Sequence, residues 1–166
     1  MKSAAMKYVA MKPAALGLLF ACTLSACVTM PTPLQGQFSA LLPAQAGNQN
    51  ANSEHVRWGG SIVTVHTESD RSCFEIVGTM TGADGRPERL DKSEGRFIAC
   101  RKGFYDPEVF SAGRELTITG SVTGFEMRKI GDYDYRYPMV AADVVYLWPE
   151  RQQQTRVIVE HVPYFW

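Results

Sequence analysis

A chain of 166 residues with 45% hydrophobic and 20% charged content has a globular composition, long enough for one domain rather than two and too apolar for wholesale disorder. The formal charge is zero, but Lys2, Lys7 and Lys12 all precede Cys27, so the chain from Cys27 onward keeps 14 basic against 17 acidic side chains, a formal −3. That balance gives no electrostatic reason to expect a nucleic-acid partner, whose phosphates demand a basic surface.

The first element in chain order is an address. "MKSAAMKYVAMK" is basic, "PAALGLLFACTL" runs twelve residues without a charge, and "LSAC" closes on small residues before Cys27. A charged start, a short apolar run and a small-residue cleavage site describe a secretory signal peptide. Twelve apolar residues are too few to cross about 30 Å of hydrocarbon. Met1, Met6 and Met11 are all available starts, which leaves the leader length open.

Leu24-Ser25-Ala26-Cys27 resembles the lipobox of bacterial lipoproteins. That resemblance implies removal of residues 1–26 and acylation of Cys27 by chains of the palmitate type. Each buried methylene contributes about 0.8 kcal/mol, and several chains together make a durable anchor. Cys22 would leave with the leader. Val28, rather than Asp, follows the cysteine, as in lipoproteins sorted to the outer membrane, so an anchor there facing the periplasm is expected.

Residues 27–53 read as a lipid-anchored tether. From Val28 to Asn52 there is no charged residue and there are three prolines, a linker composition. As a flexible coil this stretch would reach about 25–30 Å. "FSALL" (38–42) is the part able to fold back onto the domain or the membrane.

Residues 54–166 read as an all-β domain. Extended runs rich in β-branched and aromatic residues fall at 56–65, 73–80, 96–100, 115–127, 143–148 and 155–162, about six strands. In "ELTITGSVTGFEM", Leu116, Ile118 and Val122 share one face while Glu115, Thr117, Thr119, Ser121 and Thr123 share the other, a half-buried strand pattern. One stretch asks for helix. In "DPEVFSAG", Asp106 can cap, Pro107 suits the first helical position and Gly113 the stop. Glycines at 59, 60, 78, 120 and 124 lie inside strand text and suggest bulges or bends. Strands, one short helix after the third, then more strands is the order of a small OB-like antiparallel barrel, with a β-sandwich as the alternative.

Cys73 and Cys100 remain after maturation and would meet an oxidising periplasm. Their midpoint falls in the turn-rich "GADGRPER", so a hairpin of runs 73–80 and 96–100 sets them opposite each other at its base. Opposed residues have Cα atoms about 4.5–5.5 Å apart, within reach of a disulfide. Two free buried thiols are the alternative. A redox site lacks its C-x-x-C spacing.

Catalytic chemistry is sparse. His55, His66 and His161 have no partner at metal-ligand spacing, and no nucleophile elbow, phosphate loop or dinucleotide fingerprint occurs. No metal, cofactor or enzymatic activity is expected. "DKSE" and "DGRPER" read as solvated loops of mixed sign. "GDYDYRYP" sets Tyr133, Tyr135 and Tyr137 on one face with Asp134 and Arg136 opposite. Such rings, with Arg136 nearby, are a candidate ligand surface for an envelope glycan or small solute. Cross-strand packing is their ordinary use. The final "VIVEHVPYFW" alternates like the last strand of an outer-membrane barrel. Such barrels need at least eight strands, each about 9–11 residues long, and Glu160 and Pro163 interrupt this one.

The segments "VRWGGSI", "GRP", "SEGRF", "GFYDPEVFSAGRELTITGSVTG", "KIGDYDYRYPMV" and "LWP", in that order over residues 56–149, resemble the Slp family of outer-membrane lipoproteins. Phe110 stands where tyrosine is commoner in the family. The resemblance implies an envelope lipoprotein linked to stationary-phase, starvation or acid stress, with an envelope protein or glycan as partner. It brings no catalytic residues. The matched residues read as architecture: Trp58, Gly59 and Gly60 fill the barrel and bend its first strand. Gly85, Arg86 and Pro87 make a turn, and Asp106 with Pro107 starts the helix. Leu147 and Trp148 seal the late strand. Gly95, Arg96, Phe97, Gly131, Tyr135 and Pro138 belong to the same set of motifs.

Overall fold

In a computed structural model, which describes residues 29–49 and 51–152, the chain forms five strands. These are β1 (His55–Thr67), β2 (Arg71–Thr79), β3 (Gly95–Lys102), β4 (Glu115–Ile130) and β5 (Tyr133–Leu147). They close into a barrel in the order β1-β2-β3-β5-β4, with β4 returning to β1. All pairings are antiparallel except β3 with β5. A closed five-stranded barrel of this order is the OB-like arrangement expected from the sequence, not a sandwich. The strand expected at 155–162, His161 and the leader with Cys27 lie outside the described residues. Residues 133–142, outside the six runs expected from the sequence, join 143–147 in one continuous strand.

Alternation decides what fills the barrel. Val56, Trp58 and Ile62 of β1 meet Phe74 and Ile76 of β2, Phe97 and Ala99 of β3, Leu116, Ile118 and Val122 of β4, and Val140 of β5. Full burial of each large side chain contributes about 1.5–3 kcal/mol. Among the described residues these side chains fill the interior that the five strands enclose. The register of β4 with β5 shifts at Thr119/Gly120 and again at Val122/Gly124, so two of the expected glycine bends fall at irregularities in this ladder. Gly60 serves close approach: an added Cβ would overlap the Val77 carbonyl and the Ile76 side chain.

The two ends of the barrel are closed differently from the sequence expectation. Residues 106–113 form successive turns rather than a helix. The capping chemistry is present: Asp106 Oδ1 accepts the Glu108 amide at 2.9 Å, and the Asp106 carbonyl accepts those of Val109 and Phe110. The coil stops there because Tyr105 and Phe110 are drawn under the barrel. Their rings pack edge-on to each other and lie 5.3 and 5.5 Å from Phe74. Aromatic packing thus closes this end with no helix.

The helix is elsewhere. α1 (Pro43–Gln49) lies in the stretch read as tether and covers the opposite end, with Ala46 fully buried in the core. Pro43 occupies its first position, and Gln45 Oε1 reaches back to the Leu42 amide at 3.0 Å, half of a capping box. Upstream, a short 3-10 turn at Thr32–Leu34 buries Leu34 completely, and Ser39 bridges Val56. The Trp58 indole donates to the Leu41 carbonyl at 2.6 Å. Residues 30–49 are therefore a strap seated on the barrel rather than a free coil, because their apolar side chains and unpaired carbonyls find partners there.

The outer face of β4 differs from expectation for the same reason. Glu115, Thr117 and Thr119 are buried, not solvated. The β2–β3 loop folds over them, so that Thr117 Oγ1 donates to the Gly85 carbonyl at 2.7 Å. Beside it Arg57, paired with Thr119, donates to the Leu34 carbonyl of the strap at 3.0 Å.

Candidate functional site

The most concentrated chemistry in the molecule surrounds Glu115, at the start of β4. Its side chain is 7% exposed and meets three guanidinium groups: Arg86 at 2.7 Å, Arg89 at 2.9 Å and Arg151 at 3.0 Å. Burial pushes the carboxyl pKa up, but hydrogen bonds from Arg89, Arg86 and Arg151 outweigh it and hold the group below the usual range. The arginines are themselves fixed. Arg86 Nη2 donates to the Pro149 carbonyl and Arg151 Nη2 to that of Pro87, each at 2.7 Å. Arg86 also lies over the Trp148 ring, whose indole donates to Thr117 Oγ1 at 2.9 Å.

This cluster gathers Gly85, Arg86 and Pro87 from the β2–β3 loop, Glu115 and Thr117 from β4, and Trp148 from the segment after β5. Leu147 pairs with Leu116 at the same end of the ladder. Gly85, at φ +82°, turns the loop so that its carbonyl faces Thr117. "DGRPER", expected as a solvated loop, is instead committed to a buried carboxylate. Sequence reading missed Glu115 and Arg151. The available signal was an acid opening the apolar and hydroxyl-bearing run "ELTITGSVTG", with "GRPER" upstream to balance it.

A second cluster lies on the opposite face of β2 and β3 from the barrel interior. Cys73 and Cys100 pair directly in the register and form a disulfide, with Cα atoms 4.0 Å apart, a little closer than expected. Ile98 and Tyr137 pack with them, flanked by Ile130, Tyr135 and Met139. Tyr137 is 1% exposed and donates to Glu75 Oε1 at 2.8 Å, where Arg96 also binds at 2.8 Å. Burial first, then the bond to Glu75, raises the Tyr137 pKa. The Tyr135 hydroxyl accepts the Arg96 amide at 2.9 Å. Only Tyr133 projects freely, at 70% exposure.

The three-ring ligand face therefore does not form as read. Tyr135 and Tyr137 are turned into packing and hydrogen bonding because the strand lies beside β3. Arg136, on the other face, stacks 4.1 Å above Phe125 and donates to the Gly47 carbonyl of α1. What remains is a cleft of about 390 Å³ lined by Tyr133, Asp134, Tyr135 and Arg136 with Ala44 and Gly47. A second cleft of about 350 Å³ lies under the strap, between Phe38, Leu41, Trp58 and Met80. His55 approaches Asp143 at 3.3 Å in an exposed position. Among the described residues no three His, Cys, Asp or Glu side chains converge as a metal site.

A family model described as "Outer membrane lipoprotein Slp family" matches residues 24–166. The chain belongs to the Slp family. Among its relatives is "Uncharacterized lipoprotein YeaY" of Escherichia coli (strain K12), 30% identical over 138 residues, covering 81% of this chain and 71% of that one. An "Uncharacterized protein" of Haemophilus influenzae is 30% identical over 129 residues, 75% of this chain and 70% of that one. Among solved structures, the small single-stranded DNA-binding protein of Streptomyces coelicolor aligns with a TM-score of 0.40 and 10% identity, over 58% of this chain and 94% of that one. Family membership adds a reason for the motifs: "GRP", the start of "ELTITG" and "LWP" are distant in sequence and meet around Glu115.

Proposed function

We propose that this Slp-family chain is a non-enzymatic envelope protein, held by acyl chains on Cys27 at the periplasmic side of the outer membrane and acting through contacts of its barrel. Its physiological setting is stationary phase, starvation or acid stress, with an envelope protein as partner. The observation that supports this reading is the use made of the family motifs. Arg86, Glu115, Thr117 and Trp148 satisfy one another inside the fold, and a carboxylate held below its usual pKa by three guanidiniums is poorly suited to general acid work.

Intact mass of the protein extracted from its own membranes tests the anchor. The expected mass is that of residues 27–166 plus three acyl chains, rising by two hydrogens on reduction of the Cys73–Cys100 bridge. A mass without lipid would reduce "LSAC" to a cleavage site and refute the anchor. A deletion strain that survives acid and starvation as well as its parent would refute the stress role.

A second reading, a barrel that binds an envelope glycan or small solute, is favoured by the exposure of Tyr133 over the cleft it shares with Tyr135 and Arg136. Tyr133→Ala should then abolish binding of glycan fragments without altering the fold. Unchanged titration curves would end that reading.

A further inference from the structure

Both ends of the described chain reach one turn of the β2–β3 loop. At the amino end, the Met30 Cε and Cγ atoms lie 3.3 and 3.5 Å from where a Cβ of Gly85 would stand, and Arg57 Nη1 lies 3.2 Å from the Met30 sulfur. At the carboxyl end, Arg151 is fastened to the Pro87 carbonyl and to Glu115. The turn between them is tight, with the Gly85 amide donating to Gly82 and the Gly82 amide to Arg86.

Covalent geometry then limits where a lipid at Cys27 can be. Cys27 stands three residues before Met30, and three residues span at most about 11 Å when fully extended. A leash of about 25–30 Å, as a free coil of the whole stretch would give, is not available once the strap is seated. We propose that the turn Gly82–Arg89 is the membrane-facing surface of the folded body, resting on the phospholipid headgroups of the bilayer that holds the Cys27 anchor. This rests on the reading that Cys27 is acylated.

The surface suits that occupant. Ala83 is exposed at the tip, and the neighbouring strap presents Thr29, Thr32, Pro33 and Gln35 without a charge. Arg89 is 65% exposed, leaving part of its guanidinium for phosphate while Nε stays on Glu115. Asp84 and Glu88 share the turn with Arg86 and Arg89, and Arg86 is committed to Glu115, so the face is not basic and the short connection to Cys27, rather than net attraction, sets the contact. The β4–β5 turn at Gly131–Asp132 is the remote pole, about 50 Å of strand path from Glu115.

The test uses the lipidated protein in phosphatidylethanolamine–phosphatidylglycerol vesicles doped with headgroup-nitroxide lipid. Ala83→Cys and Asp132→Cys each carry a bimane fluorophore, the native pair being oxidised and Cys27 acylated. Bimane at position 83 should be quenched several-fold more than at position 132. In the protein without substitutions, tryptic cleavage after Arg89 should be at least tenfold slower in the vesicles than in the acyl-free protein in solution. Equal quenching and equal cleavage in a preparation whose intact mass includes the acyl chains would overturn the docked orientation alone. A mass without acyl chains would overturn the anchor reading and this proposal with it.

Discussion

Glu115 shows how a single side chain can be both well placed and conditional. Its carboxylate is out of water, and what makes that tolerable is the set of donors from Arg86, Arg89 and Arg151. Removing one partner of a buried charge cluster typically costs about 3–5 kcal/mol. Arg89 and Arg151 are exposed enough to rehydrate, so Glu115→Gln should lose about 3 kcal/mol, the lower end of that range. The loss carries a pH signature. Because the folded-state pKa lies below the unfolded one, near 4.3, the stabilisation is complete above the unfolded value and is lost as pH falls through the folded value. Urea denaturation should therefore show a gap between the parent and Glu115→Gln at pH 7 that closes below pH 4. A gap independent of pH would mean that packing, not charge, sets the cost. None of this was legible in "ELTITG", where period-two alternation correctly assigns Glu115 to the outer face but does not reveal that a loop thirty residues upstream covers it.

At the scale of elements, the β2–β3 hairpin is the part that the sequence specified most completely. Turn chemistry at "GADGRPER" sits midway between two cysteines, so symmetry alone puts Cys73 opposite Cys100, and the register does the same. The bridge lies at the open end of the hairpin and is packed by Ile98 and Tyr137 on its outer face. Replacing both cysteines by serine should lower stability by about 3–3.5 kcal/mol by the chain-entropy estimate, read from denaturation midpoints. The ladder beside the bridge should persist, with far-UV circular dichroism unchanged. A loss well under 1 kcal/mol would show that strand pairing already closes the loop in the unfolded chain. The helix was harder to place because its signals are local and its cause is not. Asp106, Pro107 and Gly113 are sound capping residues, but one turn of helix is too costly to nucleate when Tyr105 and Phe110 can pack on Phe74 instead. In "PAQAGNQ" the cues were only Pro43 and Gln45, and Gly47 argues against helix. It forms because Ala46 has an open barrel end to fill.

For the whole molecule the consequential difference is between a leash and a strap. Low charge and three prolines describe a linker by composition, and composition is blind to where Leu34, Leu41 and Ala46 will find a surface. A leash would leave the barrel free to sweep tens of ångströms from its anchor, whereas a strap makes residues 30–49 part of the same cooperative unit. Amide hydrogen exchange separates the two. The Ser39 amide bonds to the His55 carbonyl at 2.8 Å, that of Ala44 to Glu94 at 2.9 Å and that of Ala46 to Leu42 at 2.9 Å. These three should exchange orders of magnitude more slowly than open coil, approaching the rate of β1 amides if the strap leaves only when the barrel opens. Leu34→Asp, which places a charge at a fully buried site beside the β2–β3 loop, should release the amino-terminal part of the strap first. Protection at Ala46 would then outlast protection at Ser39 while the β1 amides stay slow. Exchange at coil rates for all three in the parent protein would return the segment to a flexible linker. It would also remove the short connection on which the proposed membrane docking of the Gly85 turn rests.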